Sequence, residues 1–341
     1  MTSGANPLPT LWELKEMESK PKTRMARLFD RIICALPILA AALELLQYKL
    51  RPNFRNFTTT DAYTVFVSFF AVLILGLFVA SFFSKRAFEK LRAQSPLYTV
   101  VFLLFAAYDH ATLKTGLLPL PYFPWPDRIL NAIIDDRVLL LDCIGNSLQL
   151  LFLGYIFGAA AGLLTGVSAG WSRSIRYWVM PLIRILGPIP STTWLPIILI
   201  VAASLFGGSV FLIALGVWYP VTMTSMNGVQ NIRKANFEVA RTLGASNARL
   251  VFRVAVPSAM PYIFQGLTQG MSVACTALMV AEMMGVESGL GWYINWQRGW
   301  AEFAKMYAAI IVICLTFTVV NMALTLIRKR VLRWQEGGAG V

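Results

Sequence analysis

The stretch "AYTVFVSFFAVLILGLFVASFF", residues 62–83, runs 22 residues without a charged side chain. A helix needs roughly 20 apolar residues to cross a hydrocarbon core of ~30 Å, so this segment is long enough to span a bilayer. Comparable runs fall at about 32–48, 97–113, 146–167, 180–204, 209–227, 258–283 and 305–327, giving eight expected spans. A chain inside lipid must satisfy its own backbone hydrogen bonds, which makes each run a helix. The expected fold class is an all-α polytopic membrane protein. The composition agrees, with 57% hydrophobic residues and only 14% charged, against roughly 25% charged in soluble domains.

The fifth run is unlike the others. Pro181, Pro188, Pro190 and Pro196 crowd it, so it must be kinked or partly unwound. The freed carbonyls need partners, which predicts that this span faces protein or a cavity rather than lipid.

A net charge of +13 on a soluble chain would suggest nucleic acid. Here the cations sit in short segments beside apolar runs and act as topology signals. Basic segments precede the first span (Lys20 to Arg31), follow the second (Lys85 to Arg92) and the fourth (Arg173, Arg176), separate the sixth from the seventh (Arg233 to Arg253) and follow the eighth (Arg328 to Arg333). With eight spans all of these fall on one side, so both termini are expected in the cytoplasm. Lys49, Arg51 and Arg55 are discordant. Residues 1–28 are too polar and long for a signal-peptide n-region, so the first apolar run is expected to be retained. Residues 9–28 form either an interfacial helix or a solvated tail.

Several chemistries are excluded. His110 is the single histidine, which removes HExxH zinc sites and most Ser-His or Cys-His arrangements. Beside Asp109, it is either a solvated interfacial pair or a substrate contact. The four cysteines form no CxxC pair, so no metal site is expected. No G-x-x-x-x-G-K-[ST] loop occurs, so this chain does not cradle ATP phosphates in that way.

Between the sixth and seventh runs lies "NFEVARTLGASNARLVFRVAVP", residues 236–257. Asn236 is a suitable N-cap, with Glu238 in a first turn where the helix dipole favours an anion. Phe237, Ala240 and Leu243 share a narrow apolar face, and Gly244 reverses the chain. Ser246 would cap a second helix bearing Leu250, Val251 and Val254, ended by Pro257. The product is either a compact docking knob or a helix pair lying on the headgroups.

Glu238-x-Ala240-x-x-x-Gly244, then nine residues and Val254-Ala-Val256-Pro257, resembles the EAA loop of bacterial ABC-importer permeases. That pattern is E-A-A, three residues, Gly, nine residues, I-x-L-P; Val239, Val254 and Val256 depart from it conservatively. "LPYFPWPDRIL", "RILGPIPSTTWLPIILI" and "VAEMMGVESGLGW" look like the nitrate, sulfonate, taurine and bicarbonate group of that family. The resemblance covers residue 97 onward, so a six-helix core (97–327, coupling loop 228–257) would follow a cytoplasmic segment (1–31) and an extra hairpin (32–96), and precede a cytoplasmic tail (328–341). It implies that Glu238, Ala240, Arg241, Leu243, Gly244, Ala245 and Pro257 couple to a cytoplasmic ATP-binding subunit. That partner would carry ATP and Mg, leaving this chain without a cofactor or enzymatic activity. An extracytoplasmic substrate-binding protein and a second permease copy complete the implied assembly in the bacterial inner membrane. The implied function is import of a small anion by alternating access. A neutral or aromatic solute, or a stand-alone secondary transporter, are the alternatives.

Polar groups inside spans are the candidate pathway residues. Ser191, Thr192, Thr193 and Trp194 follow the proline break; Tyr219 and Thr222 lie on the sixth span; Glu282 lies in the seventh. Glu282 is either a gate or a buried structural hydrogen bond. Thr224, Asn146, Ser147 and Gln149 either line a pore or bond between helices. Trp292, Trp296 and Trp300 read as an interfacial aromatic face.

Overall fold

The computed structural model describes residues 24–336, which are α-helical with short turns and no strand. The interfacial helix expected over 9–28 lies, up to residue 23, outside the described residues. The chain divides into two compact units at Asn131 and Ala132.

The first unit contains α1 (Arg24–Leu50), α2 (Ala62–Phe83), α3 (Lys85–Lys114) and the start of α4 (Pro126–Asp135). α3 begins twelve residues ahead of the expected span at 97 and packs on both α1 and α2, so the unit is larger than a two-helix hairpin. Its helix ends are closed from neighbouring segments. Asp127 accepts the Thr60 N–H at 2.8 Å and the Tyr63 N–H at 3.2 Å at the start of α2. Lys114 Nζ donates to the Tyr48 and Arg51 carbonyls, at 2.6 and 2.9 Å, at the end of α1. An anion at an N-terminus and a cation at a C-terminus both complement the helix dipole. Tyr63 donates its hydroxyl hydrogen to the buried Glu44. Asp109 is buried rather than solvated, and His110 faces Arg51 instead, with Nδ1 3.3 Å from the guanidinium.

The second unit is built around α5 (Arg137–Trp171), α8 (Leu205–Gln230) and α10 (Asn247–Gly285). Along α5, Gly154, Gly158, Gly162, Gly166 and Gly170 recur every fourth residue and are buried against α8. A Cβ on Gly158 would lie 2.5 Å from the Ala214 carbonyl oxygen, and one on Gly162 would lie 2.8 Å from Val221 Cβ. Small residues of this kind let two backbones approach, which lets dispersion replace the hydrophobic drive that lipid lacks. On the other flank of α8, Gly270 of α10 faces Val217 and Val221. α8 is thus gripped from both sides.

α6 (Arg173–Leu186) and α7 (Leu195–Val201) occupy the fifth apolar run, with a 3₁₀ turn, Ser191–Trp194, ahead of α7. The two halves are bent by 84°. Arg176 holds the corner at the start of α6 by donating to the Ala169 and Gly170 carbonyls at the end of α5, at 2.9 and 2.8 Å. α9 (Lys234–Thr242), α11 (Leu290–Gly299), α12 (Phe303–Val331) and α13 (Arg333–Glu336) complete the unit. Among the described residues, six helices are long and apolar enough to cross a membrane, or seven if the bent pair counts as one span. The expected eight also included the run in α1, which is not among them.

Asp136, just ahead of α5, ties three elements. It accepts from Tyr293 Oη of α11 at 2.5 Å and pairs with Lys305 Nζ of α12 at 2.8 Å. Burial pushes its carboxyl up, but the bonds from Lys305 and Tyr293 outweigh that and hold it below the ordinary carboxylate range. A lowered folded-state value contributes stability that is full above the unfolded pKa of about 3.9 and is lost as pH falls through the folded value. The melting temperature of Asp136→Asn should therefore lie below wild type at pH 6, and the gap should narrow as pH falls below the unfolded value of about 3.9. A gap independent of pH would refute this. For the α5–α8 seam, Gly158→Ala should cost about 1–3 kcal/mol by overpacking. Gly145→Ala, with nothing within 4 Å of the added carbon, should be neutral or stabilising in the same detergent melts.

Candidate functional site

A cavity of about 630 Å³ opens where the bent helix meets α8 and α10. Its wall on the break side comes from Gly187, Pro190, Ser191, Thr192 and Trp194; α8 contributes Leu215, Gly216 and Tyr219; α10 contributes Gln269, Ser272 and Thr276. No lining residue carries a charge. The prolines explain the break: Pro188 and Pro190 lack the N–H that a continuous helix would use. Two glycines let the walls close up. A Cβ on Gly187 would meet the Tyr219 ring at 2.5 Å, and one on Gly216 would meet Ser191 Oγ at 2.8 Å.

Of the residues expected in the pathway, Ser191, Thr192, Trp194 and Tyr219 come together in this cavity, whereas Thr193, Thr222 and Glu282 do not line it. Thr222 is buried on the α5 side of α8, its hydroxyl 2.8 Å from that of Thr165. Gln269, Ser272 and Thr276 were not singled out from sequence. Their spacing of three and four residues within an apolar helix is the signal that marks one polar stripe.

Glu282 serves a turn instead. Its carboxylate accepts the Gly291 N–H at 2.7 Å, in the first turn of α11, and lies against Gly289, whose φ is +140°. Ser147 Oγ accepts the adjacent Leu290 N–H at 2.9 Å, and Asn146 Nδ2 donates to Ser288 Oγ at 2.9 Å. Glu282 and Ser147 thereby satisfy orphan amides at a helix start, while Asn146 holds the Ser288 side chain just ahead of it. α11 then carries the tryptophan ladder: Trp292 and Trp296 stack with centroids 5.6 Å apart, and Trp296 and Trp300 lie 6.1 Å apart.

The segment 236–257 differs in detail from its expected form. Its first helix begins at Lys234, so Asn236 lies inside α9 rather than capping it. Gly244 takes φ +76°, and the bonds Ala245 N to Ala240 O (3.1 Å) and Gly244 N to Arg241 O (2.9 Å) close the helix end in a Schellman motif. Phe237 anchors α9 edge-on against Trp171, with centroids 5.6 Å apart. Leu243 does not share that face: it is 82% exposed, and Val239 is 60% exposed. Ser246 stands at the N-cap position without a side-chain bond. Pro257 ends no helix, because a π turn, Leu250–Ala255, precedes it and places it in the first turn of the α-helical stretch that follows. The result is one helix of 39 residues, Asn247–Gly285.

The second unit is an all-helical bundle whose long apolar helices can cross a membrane, with an uncharged cavity bearing several polar groups at a proline-broken helix. Residues 158–333 match the family described as binding-protein-dependent transport system inner membrane component, just over half the chain and wholly within the second unit. The chain belongs to that family and is a multi-pass permease component of such a system. It is similar to a putative aliphatic sulfonates transport permease protein of Bacillus subtilis, 29% identical over 188 residues, 55% of this chain and 68% of the relative. The taurine transport system permease protein of Escherichia coli is 26% identical over 243 residues, 69% of this chain and 88% of its own. A nitrate import permease protein of Synechococcus elongatus is 30% identical over 148 residues, 43% of this chain and 53% of its own. An inward-facing structure of the MetNI methionine ABC transporter shares the fold, with TM-score 0.50 and 19% identity over 58% of this chain and 98% of that one.

Gly289→Ala should destabilise the chain by about 1–3 kcal/mol through its strained backbone, and further because the new carbon would lie 2.5 Å from the Glu282 carboxyl. Adding Glu282→Ala should remove the second cost, so the double variant should melt above the sum of the single effects. Simple additivity would argue against the contact.

Proposed function

We propose that this chain forms the translocation pathway of an ATP-driven importer for a small anion such as nitrate, a sulfonate, taurine or bicarbonate, working by alternating access. The cavity at the break between α6 and α7 carries the reading, because it gathers hydroxyls, an amide and unwound backbone between otherwise apolar helices. Broken helices supply backbone dipoles to substrates in other transporters. The absence of a fixed cation from its lining suits passage: an anion must enter but must also leave. The named relatives support this substrate class. The same uncharged lining is also what a neutral or aromatic solute, such as a vitamin precursor, would require, and that is the second reading.

In this proposal α9 is the coupling helix. Anchored by Phe237 and closed by Gly244, it offers Glu238, Val239, Arg241 and Leu243 on its outer surface to a cytoplasmic ATP-binding subunit. That subunit would bind ATP and Mg. Two such subunits, a second permease copy and an extracytoplasmic binding protein would complete the assembly. Counting α1 and the bent pair as spans gives eight, which keeps both termini on the cytoplasmic side of the inner membrane.

The test is uptake by proteoliposomes containing the chain and its ATP-binding partner, with the substrate identified by ligand screening of the cognate binding protein. Gly244→Arg should abolish ATP-dependent uptake, because the side chain has room but the backbone at positive φ does not favour it. Thr276→Leu, which narrows the cavity, should lower uptake while the ATP-binding subunit still co-purifies. Full uptake by Gly244→Arg, or uptake without the ATP-binding subunit, would overturn the coupled mechanism.

A further inference from the structure

The first unit lies ahead of the residues that match the permease family and takes no part in the cavity. At the end where α2 passes into α3, it carries two neighbouring hollows of about 730 and 690 Å³ that share Lys85 and Phe88. They differ in charge. The second contains Asp30 and Arg92, which pair at 2.5 Å, together with Glu89. The first contains Arg31 and Lys85, and neither has an acidic partner among the described residues. The Arg31 guanidinium lies over the Phe82 ring, 5.0 Å from its centroid. The remaining wall is apolar, from Leu28, Phe78, Phe83 and Phe88, with the hydroxyls of Ser81 and Ser84 at the same end.

Two unpaired cations beside a phenylalanine-walled hollow call for an amphiphile with an anionic head. A free phosphate would leave the four phenylalanines unused, and a zwitterionic headgroup would bring its own ammonium toward the second cation. Glu89, four residues on from Lys85 along α3, lines the second hollow and not the first, and makes no ion pair with Lys85. We propose that this hollow is a binding site for an anionic glycerophospholipid drawn from the surrounding bilayer. The lipid phosphate sits between Arg31 and Lys85, and an acyl chain lies along Phe78, Phe82 and Phe83. The site gives the added unit a partner of its own: it selects the lipid around this permease by headgroup charge. Basic pockets among membrane helices recognise acidic headgroups in this way.

The test uses the purified full-length chain in detergent micelles containing equal amounts of phosphatidylglycerol and phosphatidylcholine, with retained lipid read by native mass spectrometry. Wild type should retain phosphatidylglycerol preferentially, and the preference should fall about fivefold for each cation removed in Arg31→Gln and Lys85→Gln. Arg31→Lys should preserve it, as should Lys90→Gln, whose side chain lines neither hollow. Equal retention of the two lipids by wild type, or an unchanged preference in the double variant, would overturn the proposal. So would an equal loss in Lys90→Gln, or displacement of the lipid by millimolar inorganic phosphate. A measurement that leaves both cations in place is Ser81→Trp. Its fluorescence should be quenched by phosphatidylglycerol brominated on its acyl chains and much less by brominated phosphatidylcholine; equal quenching by both would count against the site.

Discussion

The contact between α5 and α8 is where backbone meets backbone, and the rest of the second unit is arranged around it. Lipid tails are as apolar as leucine, so these helices gain nothing by hiding leucines from their surroundings. What they gain is contact density, which glycine at 154, 158, 162, 166 and 170 makes available by removing the side chain that would hold α8 away. Gly266 and Gly270 of α10 repeat the device on the opposite flank. With both flanks taken, α8 has one direction left for Leu215, Gly216 and Tyr219, and they form a wall of the cavity.

Several charged side chains serve geometry. Glu282 holds the start of α11, Asp136 ties that helix to α5 and α12, and Asp127 and Lys114 close helix ends in the first unit. Each meets a backbone amide or carbonyl that a helix end leaves unpaired, or a single opposite charge. The cavity keeps none of them. Its polarity is that of hydroxyls, one side-chain amide, the Trp194 indole N–H and backbone.

Much of this architecture was legible in the residues. The span over 62–83 was readable to its ends, because a charged residue flanks each one: Asp61 before and Lys85 shortly after. The break at Pro188 and Pro190 was readable because proline removes a donor wherever it stands, and the reversal at Gly244 because few residues other than glycine accept that backbone. Azimuth was not readable. Thr222 and Glu282 have the polarity and depth of cavity-lining residues, and only the packing of α5 and α11 turns them away from this cavity. Nor was the passage through Pro257, since a π turn leaves no mark in composition. The start of α9 was missed because Arg233, at its N-cap, has no side-chain oxygen to announce it.

The helix from Asn247 to Gly285, which passes through the π turn at Leu250–Ala255, joins two distant places. Its first residues leave the α9 turn, and Gln269, Ser272 and Thr276 face the cavity some 22 to 29 residues later, a distance of about 33–44 Å along a helix axis. A rod has few ways to respond to a push at one end: it slides, tilts or turns. Turning by one residue's worth, about 100°, would withdraw the hydroxyl stripe from the cavity and bring a different strip of the helix to face it. Which residues of this helix line the cavity therefore depends on its angular setting.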